Sequence, residues 1–449
     1  MKCLLSLLML LPVGSMAQDD GEQQQSSQFT ADLQLLTRGE IRNGGMTYNP
    51  ENPSSDDRSA FVLDRERLVL GYQRDWLDTK LTLQHVGTWG HEGAAGVNVY
   101  EAWAMMHAPV LKATDGRSAN VFAQMGRLAL RYDDERIIGS DDWVMASMTH
   151  DALRLGFEGY GHKLHVILAY NQNMRALSQP GSYYVNGSRP YKSMHTVWYH
   201  YDVPKVPLGA SLLLMNIGMQ AGKEDGIDLN EALTEWQLVY GGYLKFAPKH
   251  FLVEGSYYRQ TGHDEKKAKL DAWMAAVKAE WMPNDIWSLQ AGYDYLSGDD
   301  YVAVVQKGGL GMPLHDVNKG FNPVYGSHHK FYGAMDFFYL STYINGFTPG
   351  MQNAYFGGSC SPLKNLRLSA TYHYLATGTE LTDLNRTLGH ELEVEASYAL
   401  AKDIKLSAGY SYMTGTETME RLKRASGDGS LRWAWLSLNI TPRIFSAKW

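Results

Sequence analysis

Apolar and polar residues alternate with period two along most of this chain, and beyond residue 28 no stretch approaches the ~20 consecutive apolar residues of a membrane-crossing helix. The first segment sets the pattern. Phe29, Ala31, Leu33, Leu35 and Ile41 fall on one face, and Thr30, Asp32, Gln34, Arg38, Glu40 and Arg42 on the other. Segments of about 10 to 15 residues repeat it, among them 60–74, 78–90, 97–109, 119–132, 144–158, 286–298, 350–359, 388–400 and 430–441, about eighteen in all. One such segment is what any half-buried soluble strand shows. An even number of them, nearly all with a continuous apolar face, points to an all-β chain closed into a transmembrane antiparallel β-barrel of about 18 strands, one face to lipid and one to water.

Connection lengths carry the same message independently. Asp75-Trp76-Leu77, Gly159-Tyr160, Pro248-Lys249, Pro283-Asn284-Asp285, Ser361-Pro362-Leu363 and Ala401-Lys402 mark short links, whereas 43–60, 132–144, 174–191, 219–231, 298–350, 377–388 and 415–430 mark long ones. That alternation is expected of short periplasmic turns and long extracellular loops. Aromatics gather near segment ends, as in Tyr372 with Tyr374, Tyr410 with Tyr412 and Trp433 with Trp435, where a barrel carries its interfacial girdles. A net charge of −7 lacks the basic footprint of a nucleic-acid binder.

The N-terminus points to export. Lys2, the apolar run Cys3 to Val13 and the small-residue site Ser15-Met16-Ala17 read as a signal peptide over 1–17, too short to span a bilayer. Residues 18–28 are polar and expected to be a disordered periplasmic segment, leaving 29–449 as the barrel in the outer membrane of a Gram-negative cell. With Cys3 removed, Cys360 has no disulfide partner.

Two stretches carry a resemblance. Gly126-Arg127-Leu128-Ala129-Leu130-Arg131-Tyr132-Asp133-Asp134-Glu135-Arg136-Ile137-Ile138-Gly139-Ser140-Asp141-Asp142-Trp143 and the later run Asn322-Pro323-Val324-Tyr325-Gly326-Ser327-His328-His329-Lys330-Phe331-Tyr332-Gly333-Ala334-Met335-Asp336-Phe337-Phe338 resemble the alginate export family of outer-membrane proteins. Their order, the segment count and the pair Arg65 and Arg67 extend the likeness over almost the whole mature chain. Tyr132 is followed by Asp133-Asp134 where the family has Gly-Asp, and the chain is shorter than is usual there. The resemblance implies an 18-stranded barrel with an electropositive lumen and inward-folded loops, passing an anionic uronate polymer by diffusion.

By alternation alone, Arg38, Arg42, Arg65, Arg67, Lys80, Arg127, Arg131, Arg154 and Lys163 point inward from the first strands, against Asp32, Glu40, Glu101 and Glu158. Later strands reverse the balance, with Glu254, Glu280, Asp294, Glu391, Glu393 and Glu395 against Lys278, Arg367 and Lys405. One wall is expected to be basic and the other acidic. The solute path is expected to pass Arg38, Arg65, Arg67, Arg127, Arg131, Arg154 and Glu101, because a guanidinium fork pairs with a carboxylate sugar and several weak sites conduct where one strong site would block. The competing reading pairs those arginines with lumenal carboxylates, Arg38 and Arg65 with Glu40 or Asp64 for example, so that they hold the barrel's shape. The connection 299–349 is expected to fold across the mouth and narrow it, with Gly308-Gly309-Leu310-Gly311 as flexible backbone and Lys330 and Asp336 near the constriction. Its aromatics could instead pack on neighbouring loops or the outer leaflet.

Enzyme motifs are weak, and no catalytic residue, cofactor or metal is assigned. His390-Glu391 and His328-His329 lack ligand spacing, and the cluster Asp133, Asp134, Asp141 and Asp142 would suit calcium by composition only. The expected function is passive passage of anionic or polar saccharides, alginate-like polyuronates or oligosaccharides. A general porin, a barrel-wall lipid-modifying enzyme and a non-conducting surface scaffold are the alternatives. Expected partners are the saccharide, outer-membrane lipid and lipopolysaccharide, and the barrel-assembly machinery, with no nucleic acid.

Overall fold

The computed structural model describes residues 26–43, 58–91, 96–108, 111–112, 118–171, 191–220, 234–264, 267–306, 317–340, 343–423 and 430–449. The expected signal peptide, the glycines at 308–311 and most of the connections at 43–60, 174–191 and 219–231 lie outside them.

Eighteen long strands form the wall. The first nine are β1 Gln28–Asn43, β2 Arg58–Arg74, β3 Leu77–Thr88, β4 Asn98–His107, β5 Ser118–Leu128, β6 His150–Gly159, β7 His162–Tyr170, β8 Ser193–Asp202 and β9 Leu208–Gln220. The rest are β10 Thr234–Phe246, β11 Phe251–His263, β12 Lys269–Trp281, β13 Trp287–Leu296, β14 Met351–Leu363, β15 Leu366–Ala376, β16 Thr387–Ala401, β17 Ile404–Gly415 and β18 Ser430–Ile440. Each pairs antiparallel with its sequence neighbours, and β18 closes the ring on β1 through Arg38↔Ser437 and Asn43↔Arg432. Past Thr441-Pro442 the chain continues as Arg443–Lys448 along the start of β1, with Gln28 opposite Lys448. Ser27 and Trp449 exchange backbone hydrogen bonds of 2.7 and 3.0 Å, so Ser27 and Gln28, expected in a disordered segment, are paired with the C-terminal strand. Closure matters because lipid offers no partner to an unpaired backbone edge.

The outer face is apolar, with Leu212, Met125 and Phe356 each more than 60% exposed. Trp76, Phe251, Trp281 and Trp287 ring the short-turn end, and Trp236, Tyr257 and Trp273 the other. One short turn falls later than its sequence marker: β14 runs on to Leu363, and the turn is at Lys364-Asn365. A register shift between Cys360 and Leu363 absorbs Pro362, which has no N–H to give the ladder.

The largest difference lies inside the barrel. The segments expected at 119–132 and 144–158 are strands only over Ser118–Leu128 and His150–Gly159, and residues 129–149 between them fold into the lumen. Leu130, Tyr132, Ile137 and Ile138 from this segment, with Phe321, Tyr325, Tyr332 and Met335 from the long connection after β13, form a buried apolar cluster against the wall. The wall answers with Ile167, Met194, Met215, Ile217, Val239, Met274 and Leu375, all lumen-facing and almost wholly buried. The hydrophobic core therefore sits inside the extracellular half of the barrel, where water was expected.

Candidate functional site

The first inward segment crosses the lumen from one charged wall to the other. At the acidic wall, buried Arg136 bonds Asp294 of β13 at 2.8 Å and its own neighbour Asp134 at 2.9 Å, with its guanidinium 3.9 Å from the Phe331 ring centre. Burial alone would lower the Arg136 pKa, but Asp294 and Asp134 outweigh it and hold it above the ordinary value. At the basic wall, the Asp142 carboxylate accepts from Arg65 at 3.3 Å, Arg67 at 3.1 Å and Ser147 Oγ at 2.9 Å. Burial works against the Asp142 charge, yet the two arginines win and keep its carboxyl below the usual range. Each end of the segment thus brings the sign its wall lacks.

Trp143 locks the centre. Arg38 of β1 lies 3.9 Å over its ring and donates to its carbonyl at 3.1 Å, His329 stacks on the ring at 4.0 Å, and Trp433 and Trp435 of β18 meet it edge-on. The two segments zip together beside it. Gly139 N–H donates to Tyr325 O at 2.8 Å, and Ser327 Oγ donates to Glu135 at 2.8 Å while accepting from Asp141 N–H at 2.9 Å. The second segment reaches the acidic wall where Met335 N–H donates to Glu391 at 2.9 Å. Gly333, at φ 90°, permits that approach, since a Cβ there would lie 2.4 Å from the Glu391 carboxylate.

Two cavities open between these segments and the short-turn half of the wall. One of about 510 Å³ is lined by Arg38, Arg65, Asp142, Trp143, Lys330, Lys405, Glu393 and Glu395, and one of about 330 Å³ by Arg136, Glu254, Lys278, Asp294, Lys330 and Glu393. Lys330, half exposed and bonded to Glu135, borders both. Asp336 is instead buried, with its carboxylate 2.7 Å from His329 Nδ1. Facing it, Asp141 is pushed up to about 6 by burial and by the Asp336 charge.

The other expected path residues divide. Arg38 bonds Glu40 at 2.8 Å, as the shape-holding reading had it, but Arg65 turns to Asp142 rather than Asp64, which lies on the opposite face of β2. Glu101 is buried on the inner wall against Lys80, and Arg154 faces inward over the Phe122 ring at 5.2 Å. Arg131 belongs to the inward segment, bonded to Ser140 at 2.7 Å, not to a strand. Arg127 does not face the lumen. It shares the outer face with Met125 and pairs with Asp151 at 2.8 Å, because Phe122, Gln124 and Leu128 occupy the inner face beneath the first segment. The four aspartates of the acidic run are also dispersed: Asp133 to Trp198 and Ser211, Asp134 to Arg136, Asp141 toward Asp336 and Asp142 to the arginine pair. Alternation could not find Arg136, Asp142, Trp143 or His329, since none lies on a strand; their place in the two quoted motifs marked them, and Asp142 and His329 otherwise entered only as weak metal-ligand candidates.

A family model described as alginate export matches residues 93–426. Among solved structures, Pseudomonas aeruginosa OpdL is similar with a TM-score of 0.59 at 11% identity, covering 93% of this chain and 99% of that one. P. aeruginosa OccK2 (OpdF), solved in complex with glucuronate, gives 0.57 at 11% identity over 93% and 98%. Acinetobacter baumannii OccAB1 gives 0.56 at 11% over 92% and 97%. At these identities the likeness is one of fold. No curated protein sequence matches the chain.

Proposed function

The chain belongs to the alginate export family of the Gram-negative outer membrane, and from that premise we propose that it passes anionic saccharides of the uronate type by passive diffusion along its arginine-bearing wall. The observation that carries the reading is the hold of Arg65 and Arg67 on Asp142 beside the 510 Å³ cavity. A carboxylate is what these two guanidinium groups already bind, and a uronate brings the same group on a polar ring. A cavity of this size lies in the range of small-molecule sites, and OccK2, of the same fold, holds glucuronate. Passage then exchanges Asp142 for a solute carboxylate, with Lys330 and Arg38 next along the path and Glu393 and Glu395 opposing retention. Several weak contacts of this kind let a solute leave as readily as it enters. The match to the alginate export family weighs against the barrel-wall enzyme reading.

Liposome swelling tests it. Vesicles carrying the folded protein should swell faster in glucuronate than in glucose of similar size, and equal rates would leave a general porin.

A further inference from the structure

On the outer wall, away from the lumen, Asp64 and Glu66 of β2 and His85 of β3 bring two carboxylates and an imidazole together. Their ligand atoms lie within 4.8 Å of one another, and Glu66 Oε2 is 2.6 Å from His85 Nδ1. We propose that these three residues bind a first-row divalent cation such as Zn²⁺.

The register fixes the face. Glu66 stands opposite His85, Leu68 opposite Leu83 and Leu70 opposite Leu81, so the cluster continues the lipid-facing column and lies above its leucines on the extracellular side. Arg65 and Arg67, one residue out of step, point into the lumen. Charged side chains on this face of a barrel are costly, increasingly so toward the bilayer middle. Asp64 and Glu66 set two acidic side chains on this face, and a divalent ion held among them would offset their charge.

One feature of this cluster points to a ligand. Asp64 Oδ1 is fully buried yet accepts no hydrogen bond, so a desolvated carboxylate oxygen stands without a counterpart. Opposite Asp64 in the ladder is Gly87, whose missing side chain lets the Asp64 carboxylate and the His85 ring close over its backbone. A Cβ there would sit 2.6 Å from Asp64 Oδ1 and 3.1 Å from His85 Cε1. The donor set suits the borderline cations that accept both imidazole nitrogen and carboxylate oxygen, with Zn²⁺ forming four-coordinate sites from such residues plus water. The ion would tie β2 to β3 on the outside at the level where Arg65 and Arg67 hold the inward segment.

Calorimetric titration of Zn²⁺ into the untagged, folded full-length protein tests this, with metal content read after desalting. One ion per chain is expected, with at least tenfold weaker binding in His85→Ala, Glu66→Gln and Gly87→Ala and no change in His250→Ala. Zinc bound equally by wild type and all three cluster variants, or not at all by wild type, overturns the proposal. X-ray absorption on the wild-type protein alone gives a reading independent of any variant's folding. One imidazole among oxygen donors supports the site, and a shell of two or more imidazoles places the zinc elsewhere among the chain's 15 histidines.

Discussion

Arg136 stands between Asp134 and Asp294 with its guanidinium buried, and each carboxylate lies within 2.9 Å of it. Replacing it with methionine keeps the volume but strands two buried carboxyls. The hold of the first segment on the acidic wall is expected to weaken by about 3–5 kcal/mol, the usual cost of removing one partner of a buried pair. Faster hydrogen exchange confined to 129–149, with the barrel itself still resistant to heat, is the expected reading. Asp141 gives a pH dependence of opposite origin. Burial and the facing Asp336 push it up to about 6, so the folded joint holds a proton that the released segment gives up between pH about 4 and 6. The joint therefore tightens as pH falls through about 6 and loosens as pH rises through it. Asp142, held low by its arginines, stays ionised throughout that window. Protease accessibility of 129–149 should rise from pH 5 to pH 7, and Asp141→Asn should flatten the change. At this scale the sequence was only partly legible. Arg38, Arg65 and Arg67 could be assigned to the lumen from alternation, because a polar residue between apolar neighbours on a strand has one place to go. Arg127 could not, since Phe122 and Leu128 beside it are apolar residues facing inward.

Within the elements, the strands were readable because lipid enforces period two over their length. Residues 129–149 were not, for a physical reason: Leu128, Leu130 and Tyr132 continue the alternation past the end of β5, because the inward segment also buries one face and exposes the other. The pattern of a strand and the pattern of a backbone packed in the lumen are the same over these few residues. Trp143 is where the two segments, β1 and β18 meet. Trp143→Ala removes a cation–π contact and several ring contacts, each worth about 0.5–1.5 kcal/mol, without touching the barrel wall. Larger and noisier single-channel currents are expected from this variant, with unchanged heat resistance of the barrel. Currents indistinguishable from wild type would show that Trp143 does not hold the constriction.

For the whole molecule, the closed ring of eighteen strands followed from repetition, and the sided distribution of charge from counting. The apolar core inside the barrel could not be anticipated. It depends on which segments turn inward, a tertiary choice that Ile167, Met215 and Met274 record only once their covering residues are known. The structure also replaces the expected picture of two bare charged walls facing across water. Each wall is met by an opposite charge on one inward segment, so the field that a solute feels depends on whether Asp142 is in place. Removing Arg65 and Arg67 takes away the two guanidinium groups that bond the resident carboxylate and that would bond an incoming one. The most direct test is the reversal potential and glucuronate block of single channels in a planar bilayer, wild type against Arg65→Ala with Arg67→Ala. Anion preference in the wild type, with block by glucuronate weakened about tenfold in the variant, matches the ~1.5 kcal/mol of one charge-assisted hydrogen bond lost and is the predicted result. A cation-preferring wild type, or reversal potential and block that are the same in both proteins, would contradict the arginine-lined path.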